Sequence, residues 1–263
     1  MKLTQSLIGV IHLDPLPGAS NAQVSMQSVV EKAVKEASLY KDNGFDGVII
    51  ENAKDRPFYP CRVPRLTLAA MTSVAQAVRS NVDLPLGIAV LRNDARSAID
   101  IAAAVNAEFI RVNVLCGTTL TAQGMIQGEA HKVLRHRDQH APGTQIFADV
   151  AVKYSRPWTY ENKLFDEIRD VGACADALIV SGTATGQRTD IELLCDVKER
   201  SSKPIIVGSG VDEQDCKACL SIADALIVGS SLKENGVWNG PLDSQKVARF
   251  AACAREKAAP HPT

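Results

Sequence analysis

The sequence predicts an α/β fold, a single-domain TIM (β/α)8 barrel, and three observations support this prediction. Eight short apolar runs alternate with amphipathic stretches along the 263 residues. Polar residues gather at the carboxyl ends of these runs, and the last two runs end in nearly the same glycine-serine turn. Apolar strands that alternate with helices indicate a parallel sheet, and eight such units in about 250 residues are typical of this barrel.

The predicted strands are distributed evenly over the chain. In order they are LIGVIHL, GVIIEN, LPLGIAV, EFIRVNVL, TQIFADVAV, DALIVSG, KPIIVGSG and DALIVGSS. A doubly wound open sheet is the alternative, but its Gly-x-Gly-x-x-Gly turn is missing after the first strand, where the sequence reads HLDPLPG. The near repeat of DALIVSGT and DALIVGSS predicts similar environments for the sixth and eighth strands.

The segments between the strands show the three- and four-residue apolar spacing of helices. The clearest covers residues 26–40, and Gly44 then supplies a stop signal. Others are predicted over residues 66–78, 95–105, 164–171 and 244–254. We assign the barrel to residues 1–258 and a short C-terminal tail to residues 259–263.

The composition argues against a nucleic-acid-binding protein and against a membrane-spanning protein. Basic and acidic residues number 29 and 30, the net charge is -1, and neither sign forms a long block, which argues against nucleic acid as a partner. The opening SLIGVIHLD is too short for a signal peptide, and no apolar stretch reaches the ~18 residues of a membrane span. We therefore expect a cytoplasmic protein without an integral membrane segment; a homo-oligomer is compatible with this composition.

Seven scattered cysteines predict reduced thiols rather than a disulfide framework. The pair in CKAC, Cys216 and Cys219, lacks the second pair or the histidines that a zinc site needs, so we expect small apolar residues on a helix. We predict no metal and no cofactor. Mg²⁺ between Asp14, Glu51 and Asp149 is chemically compatible with these carboxylates, but no spacing rule supports it.

The turns after the last two predicted strands are candidates for phosphate binding. They comprise Gly208, Ser209 and Gly210 after the seventh strand and Gly229, Ser230 and Ser231 after the eighth. In this fold the same two loops often hold a phosphate, because glycine lets backbone N–H groups approach an anion. SGTATG, which begins with Ser181 and Gly182, would complete the cradle. The alternative interpretation is that these are tight turns without a ligand.

Polar residues inside the strand patterns should face the barrel lumen near its carboxyl end. Alternation along the strands predicts this direction for His12, Glu51, Arg111, Asn113 and Asp149, and Lys153 has the same parity beyond its strand. Two internal ion pairs, Glu51 with Arg111 and Asp149 with Lys153, would explain the charges without a function. That interpretation leaves the clustering unexplained, and it leaves out the neighbouring Asp14, Asn52, Arg92 and Asn93.

Several long blocks resemble the BtpA/SgcQ family of TIM-barrel proteins, which is similar to the ribulose-phosphate-binding barrels. The blocks are GVIHLDPLPGA, DGVIIENAKDRPF, VLRNDA, AEFIRVNVLCG, TAQGMIQGEAHKVLRHR and IFADVAVKYS, so the likeness covers nearly the whole chain. The polar signature of the family maps onto His12, Asp14, Glu51, Asn52, Arg92, Asn93, Asp94, Arg111, Asn113, Asp149 and Lys153. One family name is tied to photosystem I biogenesis and the other to sugar utilisation.

The chain departs from the expected pattern of this family at one place. Ala151 and Tyr154 stand where the resemblance implies two histidines after the fifth strand. If those histidines transfer protons in other members, this chain has a different substrate or has lost activity. A phosphoribosylanthranilate isomerase would also need a cysteine at the end of the first strand, where this chain has His12 and Asp14.

Three functional hypotheses follow. The first is an isomerase or lyase that acts on a sugar or ribosyl phosphate: the glycine turns bind phosphate, and Arg111, Asn113 and Asn52 orient the substrate. Asp149 and Glu51 would exchange protons with its carbon skeleton, and Lys153 or Arg111 would stabilise an oxyanion. A Schiff-base lysine would have to be Lys153, with a lowered pKa. The second hypothesis is a non-catalytic assembly or accessory factor, and the third is a regulator that binds a phosphorylated ligand without turnover.

Overall fold

The computed structural model describes residues 1–157, 164–182 and 190–256. Its strands are β1 (Ser6–His12), β2 (Gly47–Glu51), β3 (Leu86–Ala89), β4 (Phe109–Val112), β5 (Thr118–Thr121), β6 (Gly124–Gln127), β7 (Gln145–Val150), β8 (Ser155–Pro157), β9 (Ala177–Val180), β10 (Ile205–Val207) and β11 (Ala225–Val228). The helices are α1 (Met26–Asp42), α2 (Arg65–Asn81), α3 (Ala95–Val105), α4 (Ala130–His140), α5 (Leu164–Cys174), α6 (Ile191–Arg200), α7 (Cys216–Ile222) and α8 (Ser244–Arg255).

Eight of these strands close a parallel barrel in the order β1-β11-β10-β9-β7-β4-β3-β2. Each barrel strand is followed by one of the eight helices, as in a TIM barrel. The predicted single-domain barrel is therefore confirmed, and every predicted strand and helix is present with ends shifted by a few residues. The boundary between barrel and tail stays a prediction, since residues 257–263 lie outside the described chain.

Two apolar layers stabilise the barrel. The inner layer fills the lumen with side chains that alternate with the outward-facing ones, including Ile8, Val10, Ile49, Phe109 and Phe147. The Phe109 and Phe147 rings stack with centroids 4.7 Å apart. The outer layer packs the other face of each strand against the helices. Polar residues that share the parity of the inner layer must therefore point into the lumen, as predicted.

A second, small sheet was not predicted. β5 pairs antiparallel with both β6 and β8, outside the barrel, and the Thr119 hydroxyl donates to the Arg156 carbonyl at 2.9 Å. These strands are three or four residues long and lack a strong apolar alternation, so no pattern indicated them. Because β8 follows β7 after a four-residue turn at 151–154, this sheet fixes the chain that carries Lys153.

The cysteine pair of CKAC lies on α7, as predicted. Cys216 and Cys219 are buried, and the Cys216 sulfur lies 3.4 Å from that of Cys253 on α8. Burial and the neighbouring thiol raise the pKa of Cys216 to about 12, so it is uncharged at neutral pH. These thiols pack two helices together and lie on the outer side of the barrel wall.

Candidate active site

A cavity of about 360 Å³ lies at the mouth of the barrel, where the carboxyl ends of the strands meet. The predicted residues that line it are His12, Glu51, Arg92, Arg111, Asn113, Lys153, Gly208, Ser209, Gly210, Gly229, Ser230 and Ser231. These residues thus converge on one space from the ends of the barrel strands and from the loops directly after them. This is the end of the barrel at which TIM-barrel enzymes build their active sites.

Arg111 is the centre of the charged cluster. Its Nε and Nη2 donate to the two oxygens of Asp149 at 2.9 and 2.8 Å, and Nη1 donates to Glu51 Oε1 at 3.2 Å. Burial would lower the pKa of Arg111, but the two carboxylates outweigh it and raise the pKa above its usual value. Arg111 is therefore a permanent cation held by a bidentate pair and a third hydrogen bond.

Asp149 lies beneath the cavity and does not line it. Its side chain is 1% exposed and accepts hydrogen bonds from Arg111, Asn113 and Ser181. Burial raises the pKa of this carboxyl, but the charge and hydrogen bonds of Arg111 lower it further, and the net pKa is below the usual value. The sequence left this balance open. A lowered pKa keeps Asp149 ionised near neutral pH, which disfavours it as a proton donor there, and its acid/base role stays a prediction.

The hypothesis that Asp149 pairs with Lys153 is wrong. Asp149 pairs with Arg111, and Arg111 also pairs with Glu51. No carboxylate of the described residues lies within ion-pair distance of the Lys153 ammonium. Burial and the charge of Arg111 lower the pKa of Lys153 to about 8, although Glu51 and Asp149 oppose this shift. Lys153 is therefore the lysine at the cavity that can exchange a proton near neutral pH.

His12 contributes a neutral imidazole to the same wall. Burial, followed by the charge of Lys233, lowers the pKa of His12 well below its usual 6.5. Its Nε2 lies 4.0 Å from Glu51 Oε2, and its Nδ1 is buried without a hydrogen-bond partner among the described residues. A buried polar atom without a partner costs free energy, so this nitrogen is a candidate contact for a ligand.

Arg92 reaches the cavity from the loop after β3. Its Nη2 donates to the Lys153 carbonyl at 2.7 Å, and its Nη1 donates to Asn113 Oδ1 at 3.3 Å. Asn113 in turn donates to Asp149 at 3.0 Å. Burial lowers the pKa of Arg92. The side chains of Arg92 and Asn113 and the backbone of Lys153 thus form a connected polar wall.

Asn52 and Asn93 hold loops and do not line the cavity. Asn52 Oδ1 accepts from the Leu91 amide at 2.7 Å, and its Nδ2 donates to Asp55 at 3.2 Å. Asn93 accepts from the Val114 amide and donates to the Val114 carbonyl, both at 2.9 Å. Each asparagine replaces a backbone partner between neighbouring loops, which positions the chain near Arg92.

Asp14 also lies outside the cavity. The ammonium groups of Lys32 and Lys54 lie 2.8 and 2.7 Å from its carboxylate. Burial raises the pKa of this carboxyl, but the two ammonium groups outweigh burial, and the net pKa is lowered. The carboxylates proposed for Mg²⁺ therefore do not converge: Asp14 pairs with these lysines, and the other two pair with Arg111. Within the described residues no group of three His, Cys, Asp or Glu side chains could hold a metal ion.

The two glycine turns form the wall of the cavity at β10 and β11. After β11, a 3-10 turn spans Ser230–Leu232, and its first internal hydrogen bond runs from the Leu232 amide to the Gly229 carbonyl. A Cβ atom at Gly229 would lie 2.9 Å from His12 Cε1, so glycine is required for the close approach of this wall. Ser181 lies below it, where its hydroxyl contacts Asp149 and Arg111, while residues 183–186 of SGTATG lie outside the described chain.

An aromatic rim was not predicted. The Arg56 guanidinium lies 4.6 Å from the Trp238 ring centroid and 5.7 Å from that of Phe58, and all three line the cavity. Lys54 fixes this rim, since its ammonium donates to the Asn239 carbonyl at 2.8 Å. These residues lie in loops, where period-two and period-3.6 patterns do not apply. The KDRPF segment after the second strand contains Arg56 and Phe58, but no pattern connects it with Trp238.

Comparisons with known proteins agree with this architecture. Among solved structures, tryptophan synthase from M. tuberculosis superposes with a TM-score of 0.61 at 16% identity, covering 96% of this chain and 94% of that one. N-(5'-phosphoribosyl)anthranilate isomerase from Pyrococcus furiosus gives a TM-score of 0.58 at 12% identity, covering 95% and 98%. At these identities the likeness shows the fold alone. None of the helices in the described ranges has the length and apolar character needed to cross a membrane.

The sequence comparisons are more specific. An uncharacterized protein of Methanocaldococcus jannaschii is 39% identical over 251 residues, which cover 95% of each chain. The photosystem I biogenesis protein BtpA of Synechocystis is 40% identical over 254 residues, which cover 95% of this chain and 88% of that protein. The model of the BtpA family matches residues 3–256. This chain therefore belongs to the BtpA family.

Proposed function

We propose that this barrel is an enzyme that acts on a small phosphorylated metabolite, such as a sugar phosphate, by isomerase- or lyase-type proton transfer. One observation carries the proposal: a single cavity is lined both by the two glycine turns and by a lysine whose pKa is lowered to about 8. Such a combination of an anion-binding wall and a proton-exchanging group is typical of enzymes that act on phosphorylated carbonyl compounds.

The phosphate would lie against the turns after β10 and β11. Gly208, Gly210 and Gly229 leave the backbone open to the cavity, and the Ser230 and Ser231 amides precede the first internal hydrogen bond of the 3-10 turn. Backbone N–H groups in such a turn favour an anion. The same fold accommodates a phosphorylated ligand in one structural neighbour: a geranylgeranylglyceryl phosphate synthase from Thermoplasma acidophilum, solved with sn-glycerol-1-phosphate, has a TM-score of 0.58 at 13% identity.

The chemistry would centre on Lys153 rather than on Asp149. With a pKa of about 8, roughly one molecule in ten carries the neutral amine at pH 7, and this amine can remove a proton next to a carbonyl. Glu51 and the neutral His12 lie within reach of the same space and are proposed to relay the proton. Arg111 supplies fixed positive potential for a developing oxyanion, and Asp149 is a positioning residue that holds Arg111 in place.

The experiment separates binding from proton transfer. A panel of aldose and ketose phosphates is incubated with the protein in D₂O, and NMR follows both binding and the exchange of the C–H next to the carbonyl. We expect Ser230→Asp to weaken phosphate binding at least ~10-fold by charge repulsion. We expect Lys153→Met to retain binding and to lose at least ~10²-fold in exchange rate. Binding without exchange in the parent protein would instead identify a regulator.

A second candidate function is supported by one relative. The Synechocystis protein with 40% identity is named a photosystem I biogenesis protein, which favours a non-catalytic accessory role on the same barrel. A purified protein that binds none of the phosphorylated panel, yet copurifies with one membrane complex, would establish this role in place of the enzyme.

A further inference from the structure

We propose that the cavity contains a second anion-binding subsite, formed by Arg92 on the side opposite the glycine turns and by the neighbouring Lys153, and that the ligand carries a carboxylate in addition to its phosphate. This inference rests on the proposed function, since it assigns the phosphate to the turns after β10 and β11. It narrows the substrate class to phosphorylated compounds that also carry a carboxylate.

Arg92 and Lys153 have no carboxylate partner in the described parts of the chain. Arg92 is 7% exposed, and its hydrogen bonds go to neutral acceptors, the Asn113 side-chain oxygen and the Lys153 carbonyl. A guanidinium has five N–H donors, so at least three remain for a ligand. Burying a cation without a counter-ion costs free energy, so such a residue points to a function that requires it.

The other buried cations of this protein do have counter-ions. Lys233, which is fully buried, pairs with Glu36 at 3.3 Å. Lys54 pairs with Asp14 at 2.7 Å, and Arg111 pairs with both Asp149 and Glu51. Arg92 is therefore the exception among the buried cations of the described residues, and it lines the cavity together with the half-buried Lys153. This position indicates that the missing counter-ion of Arg92 is a ligand.

The topology separates this subsite from the glycine turns. Arg92 lies in the loop after β3, and four steps around the eight-stranded ring lead from β3 to β10, which is the opposite side of the barrel. Lys153 follows β7, two strands from β3 and two from β10. A ligand that fills the mouth would therefore place one end on the turns and the other end on Arg92.

The side chains of the subsite favour a carboxylate. Arg92 brings its guanidinium to the cavity wall, where it contacts the Lys153 carbonyl at 2.7 Å. The planar fork of an arginine also matches the geometry of a carboxylate, and an adjacent ammonium adds a point charge.

The test compares two series of probes by isothermal titration calorimetry. One series contains ω-phosphonocarboxylates, from 3-phosphonopropionate to 6-phosphonohexanoate, and the other contains alkylphosphonates of matched length without the carboxylate. We expect the best phosphonocarboxylate to bind at least ~10-fold more tightly than its matched alkylphosphonate. Arg92→Gln should remove this difference and leave the alkylphosphonate affinity unchanged. Arg135→Gln, which changes an exposed arginine on α4, is the control and should bind like the parent protein.

Each other outcome has a distinct meaning. Equal affinity for both series in the parent protein would refute the carboxylate subsite and leave the phosphate site intact. Binding of neither series would refute the proposed function itself. Loss of alkylphosphonate binding in Arg92→Gln but not in Ser230→Asp would place the phosphate at Arg92 and overturn the assignment. Lys153→Met provides a second variant with the same expected loss of discrimination. A cooperative melting transition that is not more than a few degrees below that of the parent protein verifies that each variant folds.

Discussion

Asp149→Asn tests whether the buried ion pair at the centre of the barrel is structural. The substitution keeps the size of the side chain and one hydrogen-bond acceptor, but it removes the charge that Arg111 contacts with both Nε and Nη2. Glu51 remains as a partner of Arg111 at 3.2 Å. The variant therefore leaves a buried guanidinium with one carboxylate instead of two.

The size of the effect follows from the burial of the pair. Breaking a buried ion pair by removing one partner costs about 3–5 kcal/mol, because an uncompensated charge is left in a medium of low polarity. The side chains of Arg111 and Asp149 are 5% and 1% exposed, so solvent screening is weak. Glu51 still compensates part of the charge, so we expect the lower end, about 3 kcal/mol. In a chain of this size that corresponds to a fall in melting temperature of roughly 6–12 °C.

The loss should depend on pH. The folded-state pKa of Asp149 is lower than its unfolded value of about 3.9, so the carboxylate stabilises the fold above that pH. This stabilisation disappears as the pH falls through the folded-state pKa. The difference in unfolding free energy between the parent protein and Asp149→Asn should therefore be constant from about pH 6 to 8 and shrink below about pH 4.

Urea denaturation at several pH values measures the free energy of unfolding directly. The control is Asp100→Asn, which removes an exposed carboxylate that pairs with His136, and we expect it to change stability by less than about 1 kcal/mol. An Asp149→Asn protein with parental stability and intact ligand binding, but with turnover reduced at least ~10²-fold, would refute this reasoning and restore the acid/base role.

Three further predictions concern the cavity wall and the thiols. Lys153→Met should raise the melting temperature near pH 7, because an ammonium with a pKa of about 8 destabilises the fold, and calorimetry should show this gain shrinking as the pH rises toward 10. Gly229→Ala should displace His12 and weaken phosphate binding in a titration, whereas Gly143→Ala, where a Cβ meets nothing within 4 Å, should not. Metal analysis should find substoichiometric zinc, unchanged by Cys216→Ser; stoichiometric zinc that is lost in this variant would contradict the packing role.

The barrel and the direction of its inner side chains were predictable because both follow from strand periodicity. A side chain two residues from an apolar inner residue must also point inward, so Ile8 and Val10 predict His12, Phe109 predicts Arg111, and Phe147 predicts Asp149. The parallel strands then bring their carboxyl ends to one mouth. The sequence could in this way identify which charged side chains meet at the barrel mouth. Their catalytic roles are part of the proposed function.

The predicted pair of Glu51 with Arg111 is confirmed, but the surroundings of Lys153 were not predictable, because this residue lies on chain that has left the strand. Between β7 and β8, Ala151 and Tyr154 adopt φ angles of 51° and 56°, in the left-handed region that most residues avoid. Such residues reverse the chain and end the alternation, so the parity of Lys153 no longer fixes its partner. Its ammonium lies in the cavity wall without a carboxylate from the described residues, while Arg111 takes both nearby acids.

Asp14 is a second residue whose position could not be predicted from strand alternation. It lies two residues beyond His12, but β1 ends at His12, and the Leu16 amide that follows is held by Asp55 of the next loop at 2.8 Å. The loop turns Asp14 toward α1, where Lys32 meets it, and toward Lys54, whose ammonium also holds the Asn239 carbonyl. Asp14 therefore acts on the cavity indirectly, since this lysine connects it to the loop that carries Trp238. Residues that match a family signature can thus support the mouth of the barrel without lining it.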